Sequence, residues 1–391
     1  MNKLFKNMVL ALVLVFVGAT FYSCDDNNID DDPDNYDALY SQILSNYVDK
    51  TVIPTYKGMA EAALKMRTAN EALKTNPSDE TIEAASEAWM EARIWWELSE
   101  AFLFGPVSED GFNIDAHIDS WPLEVGDIEN MIQYQNGDIT GQEAWNMEEG
   151  VIGFHTTEYL LYREGKPRPL SDLSDAELKY LTAVTDALVW DCVLAYVAWA
   201  GESNVSAEIL AVFNECEDVV DVYNDRPNVQ NFGSKMKAGI PLYSSLEGAV
   251  QEISEGAKTI AEEVGATKIE APYIGQKVED VESWYSWHSL DDYTNNIYSI
   301  QNAYLGGVGT TNVPRPSASL SSYVILIDAD LDAQIKAKIE ECITKIKAIG
   351  AGNKSFYEVV RDQVNQSQVE AAVDACLELR DLFGKITDSV Q

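Results

Sequence analysis

The sequence predicts an all-α protein whose globular region divides into two domains. Three observations carry this. Apolar residues recur at three- and four-residue steps through almost every long segment, the spacing that gathers them on one helix face. Strand patterns are nearly absent, with Tyr323–Asp328 (YVILID) the best short exception. About 355 residues follow the N-terminal leader and tether, more than one small core accommodates. The longest non-periodic stretch inside them, Asn224–Pro241, marks the boundary. The expected layout is a leader over 1–23, a tether over 24–35, and helical domains over 36–235 and 240–391.

Taken in order, the chain opens with Lys3 and Lys6, an apolar run from Met8 to Val17, small residues and Cys24. A basic start before a short apolar stretch is the pattern of a secretory signal peptide rather than of a core helix. Phe21-Tyr22-Ser23-Cys24 is similar to the lipobox of bacterial lipoproteins, with Phe21 in place of the usual aliphatic residue. Lipidation of Cys24 would hold the mature protein on a membrane by a multi-chain anchor. No later stretch reads as the roughly 20 apolar residues of a spanning helix. The acidic segment DDNNIDDDPDNYD repels itself into an extended tether. It also resembles the acidic export signal that sends lipoproteins of Bacteroidetes to the outer face of the outer membrane. The expected location is the cell envelope, lipid-anchored to the outer membrane on its periplasmic or cell-surface face.

In the first domain Trp89, Arg93, Trp96 and Glu100 fall at i, i+4, i+7 and i+11 and share a helix face. An aromatic face is a buried one, so its Arg and Glu must be paired or cost several kcal/mol. Gly105, Pro106, Gly111 and Pro122 break the pattern into a loop from Phe104 to Asp127. Ile152, His155, Tyr159 and Tyr162 form the next stripe, with Glu158 about 60° around the helix from His155. Leu173, Leu181, Val184, Leu188, Cys192 and Val193 mark a long amphipathic helix.

In the second domain His288, Asp292, Asn295, Ser299 and Asn302 step along one helix beside Trp284, Trp287, Tyr293 and Tyr304. A solvated face usually carries Lys and Glu, whereas His, Asp and Asn bind through specific geometry, which points to a cleft wall. Leu331, Ile335, Ile339, Cys342, Ile346 and Ile349 follow, with Gly350 as stop signal. The last helix opens on the capping-box spacing of Ser367 and Glu370. The glycine-rich loop Leu305–Ser319 lacks the Lys-Ser/Thr of a phosphate-binding loop and reads as a connector.

The formal charge is −38, and loss of the two leader lysines takes it to −40. Phosphate recognition needs a basic surface, so nucleic acid and anionic lipid are excluded as partners. Metal ions and small polar ligands with basic groups fit. Cys192, Cys216, Cys342 and Cys376 show no C-x-x-C spacing and fall in helical segments. They read as small core residues, with any disulfide pairing left open.

His155 and Glu158 could reach one metal ion or one polar ligand. A lone histidine on an apolar face is more often a hydrogen-bonded core residue, and Arg93 with Glu100 is more often a structural ion pair. The motifs nevertheless converge. Gly153, His155 and Glu158 form G-x-H-x-x-E, preceded by Ala92, Arg93, Glu100, Ala101, Phe102, Phe104, Gly105 and Pro106. Asp119, Trp121, Pro122 and Leu123 form a loop motif, and Asn302, Tyr304 and Gly306 close a second-half pattern. In these ordered motifs the chain resembles the imelysin-like proteins over most of its mature length. The resemblance implies two helical bundles that look like distant repeats, with a polar cleft between them. It also implies a cell-envelope location and, in several members, iron-linked expression or metal binding. Glu97 departs from the pattern, which carries an amide there, and adds charge to the cleft.

A zinc peptidase needs three protein ligands, an open water position and a general base, and His-Glu-x-x-His is absent. His155 and Glu158 supply two ligands, with His288 as a third if the domains face each other there. Such a set suits iron about as well as zinc. The favoured reading is therefore capture of iron, another metal or a metal-bearing ligand, passed on to an outer-membrane transport partner. The alternatives are a metal-dependent peptidase using His155 and Glu158, and a polysaccharide-binding lipoprotein stacking sugars on Trp284 and Trp287. On every reading Arg93, Glu97, Glu100, Asp119, His155, Glu158, His288 and Asp292 are expected to line one wet crevice.

Overall fold

The computed structural model describes residues 36–388. The expected signal peptide, the expected lipidation site at Cys24 and the expected acidic tether fall outside the described residues. The first half contains α1 (Asp37–Tyr47), α2 (Ile53–Thr75), α3 (Asp79–Glu97), α4 (Ile114–Asp119), α5 (Val125–Tyr134) and α6 (Gly141–Trp145). It continues with α7 (Gly153–Leu161), α8 (Asp175–Ala200), α9 (Ala207–Phe213), α10 (Glu217–Asp225) and α11 (Phe232–Ala238). The second half contains α12 (Leu246–Glu262), α13 (Ala271–Gly275), α14 (Ser289–Leu305) and α15 (Leu320–Ile327), then α16 (Ala329–Ile349), α17 (Phe356–Asp362) and α18 (Gln366–Asp388). One two-residue antiparallel pair, Tyr162–Arg163 with Lys166–Pro167, is the only sheet among the described residues. The fold is all-α, as the periodicity predicts.

Local chemistry sets the helix ends. Ser174 and Glu177 form a reciprocal capping box at the start of α8, satisfying donors the helix leaves unpaired. Gly201, at φ 80°, ends that helix. α8 departs from the amphipathic expectation, because it is buried on nearly every side. It packs on α2, α6 and α7, and a helix surrounded by others is apolar all round. It is also long and apolar enough to cross a membrane, but 89% of its most apolar window is buried inside the protein, as in a core helix.

Tyr323–Ile327 is helical rather than extended: it lies in α15, which stops before Asp328 and where Ser322 Oγ accepts from Ser319 N at 3.1 Å. Leu320, Tyr323 and Val324 face inward while Ile325 and Leu326 are exposed. Periodicity alone does not separate a short apolar strand from such a helix. α18 begins at Gln366, after Asn365 at φ 56°, and Ser367 Oγ turns to Gln368 instead of capping the helix. Among the described residues, Cys192, Cys216, Cys342 and Cys376 are all buried free thiols.

In the first half α2 packs on α3 and α8, and in the second α18 packs on α12 and α16. α14 meets both α12 and α16, and its other side meets α3 and the 3-10 turn Glu100–Phe102. Helix α1 belongs by packing to both halves: it contacts α12, and Tyr36 and Tyr40 place their rings 5.5 Å and 5.2 Å from Tyr323. Two helices carry wide π-helical turns, Val48–Val52 leading into α2 and Glu263–Glu270 following α12.

Candidate metal centre

The centre is built where α3, the end of α4 and the start of α7 meet α14 and the segment before it. α3 presents Arg93 and Glu97 one turn apart, both buried beside Trp89 and Trp96. Glu100 follows in the 3-10 turn rather than on α3 itself. Asp119 ends α4, and its Oδ2 accepts from Trp96 Nε1 at 2.6 Å. Gly153 is needed at the start of α7 because its φ is 81° and a Cβ there would lie 2.4 Å from the Ile118 carbonyl oxygen. Only glycine lets α7 close on the residue preceding Asp119, and this approach brings His155 to that carboxylate.

Arg93 holds the centre together. Its guanidinium donates to Asp119 and to Glu282 Oε1 (2.7 Å), lies 2.5 Å from Glu97 Oε1, and reaches Asp292 Oδ2 at 3.4 Å through Nε. Asn296 donates to Glu97, and Ser283 Oγ donates to Asp292 at 2.5 Å. Lys268, from the second π-helix, lies 3.6 Å from Glu100 and 3.4 Å from Glu282. The side chains of Glu97, Glu100, Asp119, Glu158, Glu282 and Asp292 are all less than one-tenth exposed. Six buried carboxylates therefore face two permanent cations, Arg93 and Lys268, and a third when His155 is protonated.

The surplus appears in the proton affinities. Burial raises Glu97 and Glu100 well above the usual carboxylate range, against the pull of Arg93 and Lys268 respectively. Burial likewise lifts Asp292 to about 6, and burial with the nearby Asp119 lifts Asp115 to about 7. For Asp119 and Glu282 the balance reverses. Burial is outweighed by Arg93 and His155 at Asp119, and by Lys268, His155 and Arg93 at Glu282, which falls to about 2. His155 is disfavoured as a cation by burial and Arg93, yet Asp119, Glu158 and Glu282 together raise it well above its ordinary value.

Three ligand atoms converge. Asp119, His155 and Glu282 each bring one within 4.8 Å of the others, and Glu97, Glu100 and Asp119 form a second such group. His155 Nε2 is 3.1 Å from Asp119 and 3.8 Å from Glu282 but outside hydrogen-bonding geometry with either. Glu97 Oε1, Glu282 Oε2, Trp121 Nε1, Tyr293 Oη and Asn296 Oδ1 also make no hydrogen bond. Buried polar atoms are ordinarily satisfied, and the Trp121 ring lies 4.9 Å from His155. His117 is the contrast: both its nitrogens are engaged, by Asp191 at 2.7 Å and the Trp145 carbonyl at 2.9 Å. A carboxylate–imidazole–carboxylate set in which His155 Nε2 and Glu282 Oε2 make no hydrogen bond fits a transition-metal ion.

Several expected roles change. Glu158 accepts from Ser286 N and Oγ, both at 2.7 Å, and faces His155 Nδ1 at 3.2 Å. It orients the imidazole, the second-sphere arrangement usual for metal-bound histidine, and is absent from both ligand groups. His288 is absent from both groups; its Nδ1 faces Asp291 at 3.3 Å, and Glu282 stands beside Asp119 and His155 instead. Of the α14 stripe, Asp292 reaches the centre. Asn295 lines a small cavity with His288, Ser299 Oγ accepts from Ala101 N, and Asn302 binds the Gly306–Arg315 loop. Tyr304 donates to Asp332, outside the centre. Trp284 and Trp287 stack on Tyr357 instead of standing free for a sugar. The expected wet crevice is largely a buried cluster: Arg93, His155 and Glu158 are at most 1% exposed, and small cavities lined by Arg93, His288 and Asp292 and by Glu100 and Asp115 border it.

Glu282 and Lys268 escape sequence reading because neither sits in a regular α-helix. Glu282 precedes Ser283 (φ 49°) in a turn. Lys268 lies where the apolar step lengthens from Ile260–Val264 to Val264–Ile269, the trace of a π-helix.

Comparison with known proteins agrees with this architecture. The sequence pattern of the imelysin peptidase family matches residues 52–385. Iron-regulated protein A of Synechococcus elongatus (strain ATCC 33912 / PCC 7942 / FACHB-805) is 27% identical over 268 residues, 68% of this chain. That match spans 65% of the relative, just under two thirds of its length. A crystal structure described as an iron-regulated protein A precursor from Parabacteroides distasonis ATCC 8503 has a TM-score of 0.73 at 28% identity. It covers 91% of this chain and 96% of its own. An imelysin-like protein from Psychrobacter arcticum 273-4 shares the fold, with a TM-score of 0.64 at 13% identity over 89% and 94% of the two chains. With the family pattern running through both halves and across the His155–Glu158 motif, this chain belongs to the imelysin family.

Proposed function

We propose that this protein captures a transition-metal ion, iron foremost, through Asp119, His155 and Glu282. The observation that carries the reading is the buried charge imbalance around three converging ligand atoms. Buried carboxylates demand a counter-charge, and an imidazole held at Nδ1 by Glu158 has Nε2 aimed at the same point. The names of the Synechococcus and Parabacteroides relatives support iron over zinc. The ion is cargo in this reading, carried by an envelope lipoprotein anchored through Cys24 and delivered to an outer-membrane transport partner. A metal-dependent peptidase, as the family's name suggests, is the second reading. Burial weighs against it, since a polypeptide would have to reach side chains with no exposed surface. The test is metal analysis of protein purified without chelators, followed by Zn²⁺ and Fe²⁺ titration. One ion per chain, lost in His155→Ala without proteolysis by either form, supports capture. Metal-dependent cleavage of casein abolished by the same change supports the peptidase.

A further inference from the structure

Metal capture by Asp119, His155 and Glu282 assigns no part to Lys268, although its side chain is only 9% exposed among carboxylates. The ammonium lies 3.4 Å from Glu282, 3.6 Å from Glu100 and 3.8 Å from Glu263. Each contact is longer than a charge-assisted hydrogen bond of about 2.8 Å, so it neutralises several groups without being locked to one. Glu282 belongs to one ligand group and Glu100 to the other. The ammonium therefore stands across both.

The surroundings give it somewhere to go. A cavity of about 230 Å³ is lined by Glu100, Asp115, Glu252, Glu255, Thr259 and Glu263 among others. Glu263, at 43% side-chain exposure, connects this cavity to Lys268. A four-carbon stem with a freely rotating ammonium can cross that distance, which a planar guanidinium fork cannot do as readily. A metal ion on Glu282 would repel an ammonium held this close in a low-dielectric interior.

We propose that Lys268 is a displaceable counter-cation: it neutralises Glu100 and Glu282 in the metal-free protein and swings to Glu263 when a metal takes their oxygens. The proposal rests on the metal-capture reading, and the experiment separates the two. Zn²⁺ affinity is measured on the full mature chain by competition with a chromophoric chelator, for wild type, Lys268→Met, Lys268→Arg and Glu263→Gln. Lys268→Met should bind Zn²⁺ about tenfold tighter or more while losing thermal stability without metal. Lys268→Arg should bind Zn²⁺ more weakly than wild type, because it keeps the charge on a group that moves aside less readily. Glu263→Gln, a change at the surface that leaves the fold intact, should weaken binding about threefold by removing the place the ammonium moves to. One Zn²⁺ per chain with unchanged or weaker affinity in Lys268→Met overturns the counter-cation role and leaves metal capture standing. Unchanged affinity in Glu263→Gln overturns it too if Lys268→Met does not fold. No Zn²⁺ binding by wild type overturns both.

Discussion

Arg93 offers the sharpest perturbation of the centre. Its guanidinium engages Asp119, Glu97, Glu282 and Asp292, so Arg93→Met deprives four of six buried carboxylates of their nearest cation. Deleting one partner of a buried pair costs about 3–5 kcal/mol. The cost does not multiply by four, because stranded carboxylates escape by taking up protons. Unfolding entropy of about 2.1 cal/mol/K per residue gives roughly 0.7 kcal/mol/K for a chain of this size. The variant should therefore melt about 4–7 °C below wild type in metal-free buffer. The gap should persist at 0.5 M salt, because buried pairs are screened far less than surface ones. Calorimetry with and without salt measures it. A variant melting within a degree of wild type, with an unchanged circular dichroism spectrum, would show that the guanidinium does not hold the cluster.

Other predictions follow from the same geometry. Asp115 and Asp292 have folded pKa values of about 7 and 6, above their unfolded value of about 3.9. The native state thus holds extra protons between about pH 4 and 7, and metal-free stability should fall as pH rises through that window; urea midpoints that climb instead refute the assignment. Gly153→Ala places a methyl against the Ile118 carbonyl at a positive φ and should cost at least about 2 kcal/mol, read by urea denaturation. His288→Ala should leave Zn²⁺ affinity within about twofold, because His288 lies outside both ligand groups; a tenfold loss in titration would return it to the centre.

Much of the centre was legible for one reason. Arg93, His155 and Asp292 stand among aromatic residues, where an unpaired charge is too costly to exist by accident. Their helical spacing also predicted which polar groups share a face. Glu158 shows the limit of that reasoning: spacing put it near His155 but could not separate a ligand from the group that orients one. That distinction came from Ser286, which is 128 residues away and donates to the same carboxylate. Glu282 and Lys268 were invisible because a turn and a π-helix break the 3.6-residue period. Spacing does not show how open the site is, since polar residues facing one another read equally well as a wet crevice or as a buried ion cluster. In the fold, α8 was placed correctly as a helix, but burial on all sides erased the amphipathic signature expected of it.

Anomalous diffraction from crystals grown with Fe²⁺ or Mn²⁺ under anaerobic conditions tests the central claim most directly. One peak bonded to His155 Nε2 and to carboxylate oxygens of Asp119 and Glu282 is the predicted result. A peak elsewhere on the chain, or none near His155 at saturating metal, would contradict it.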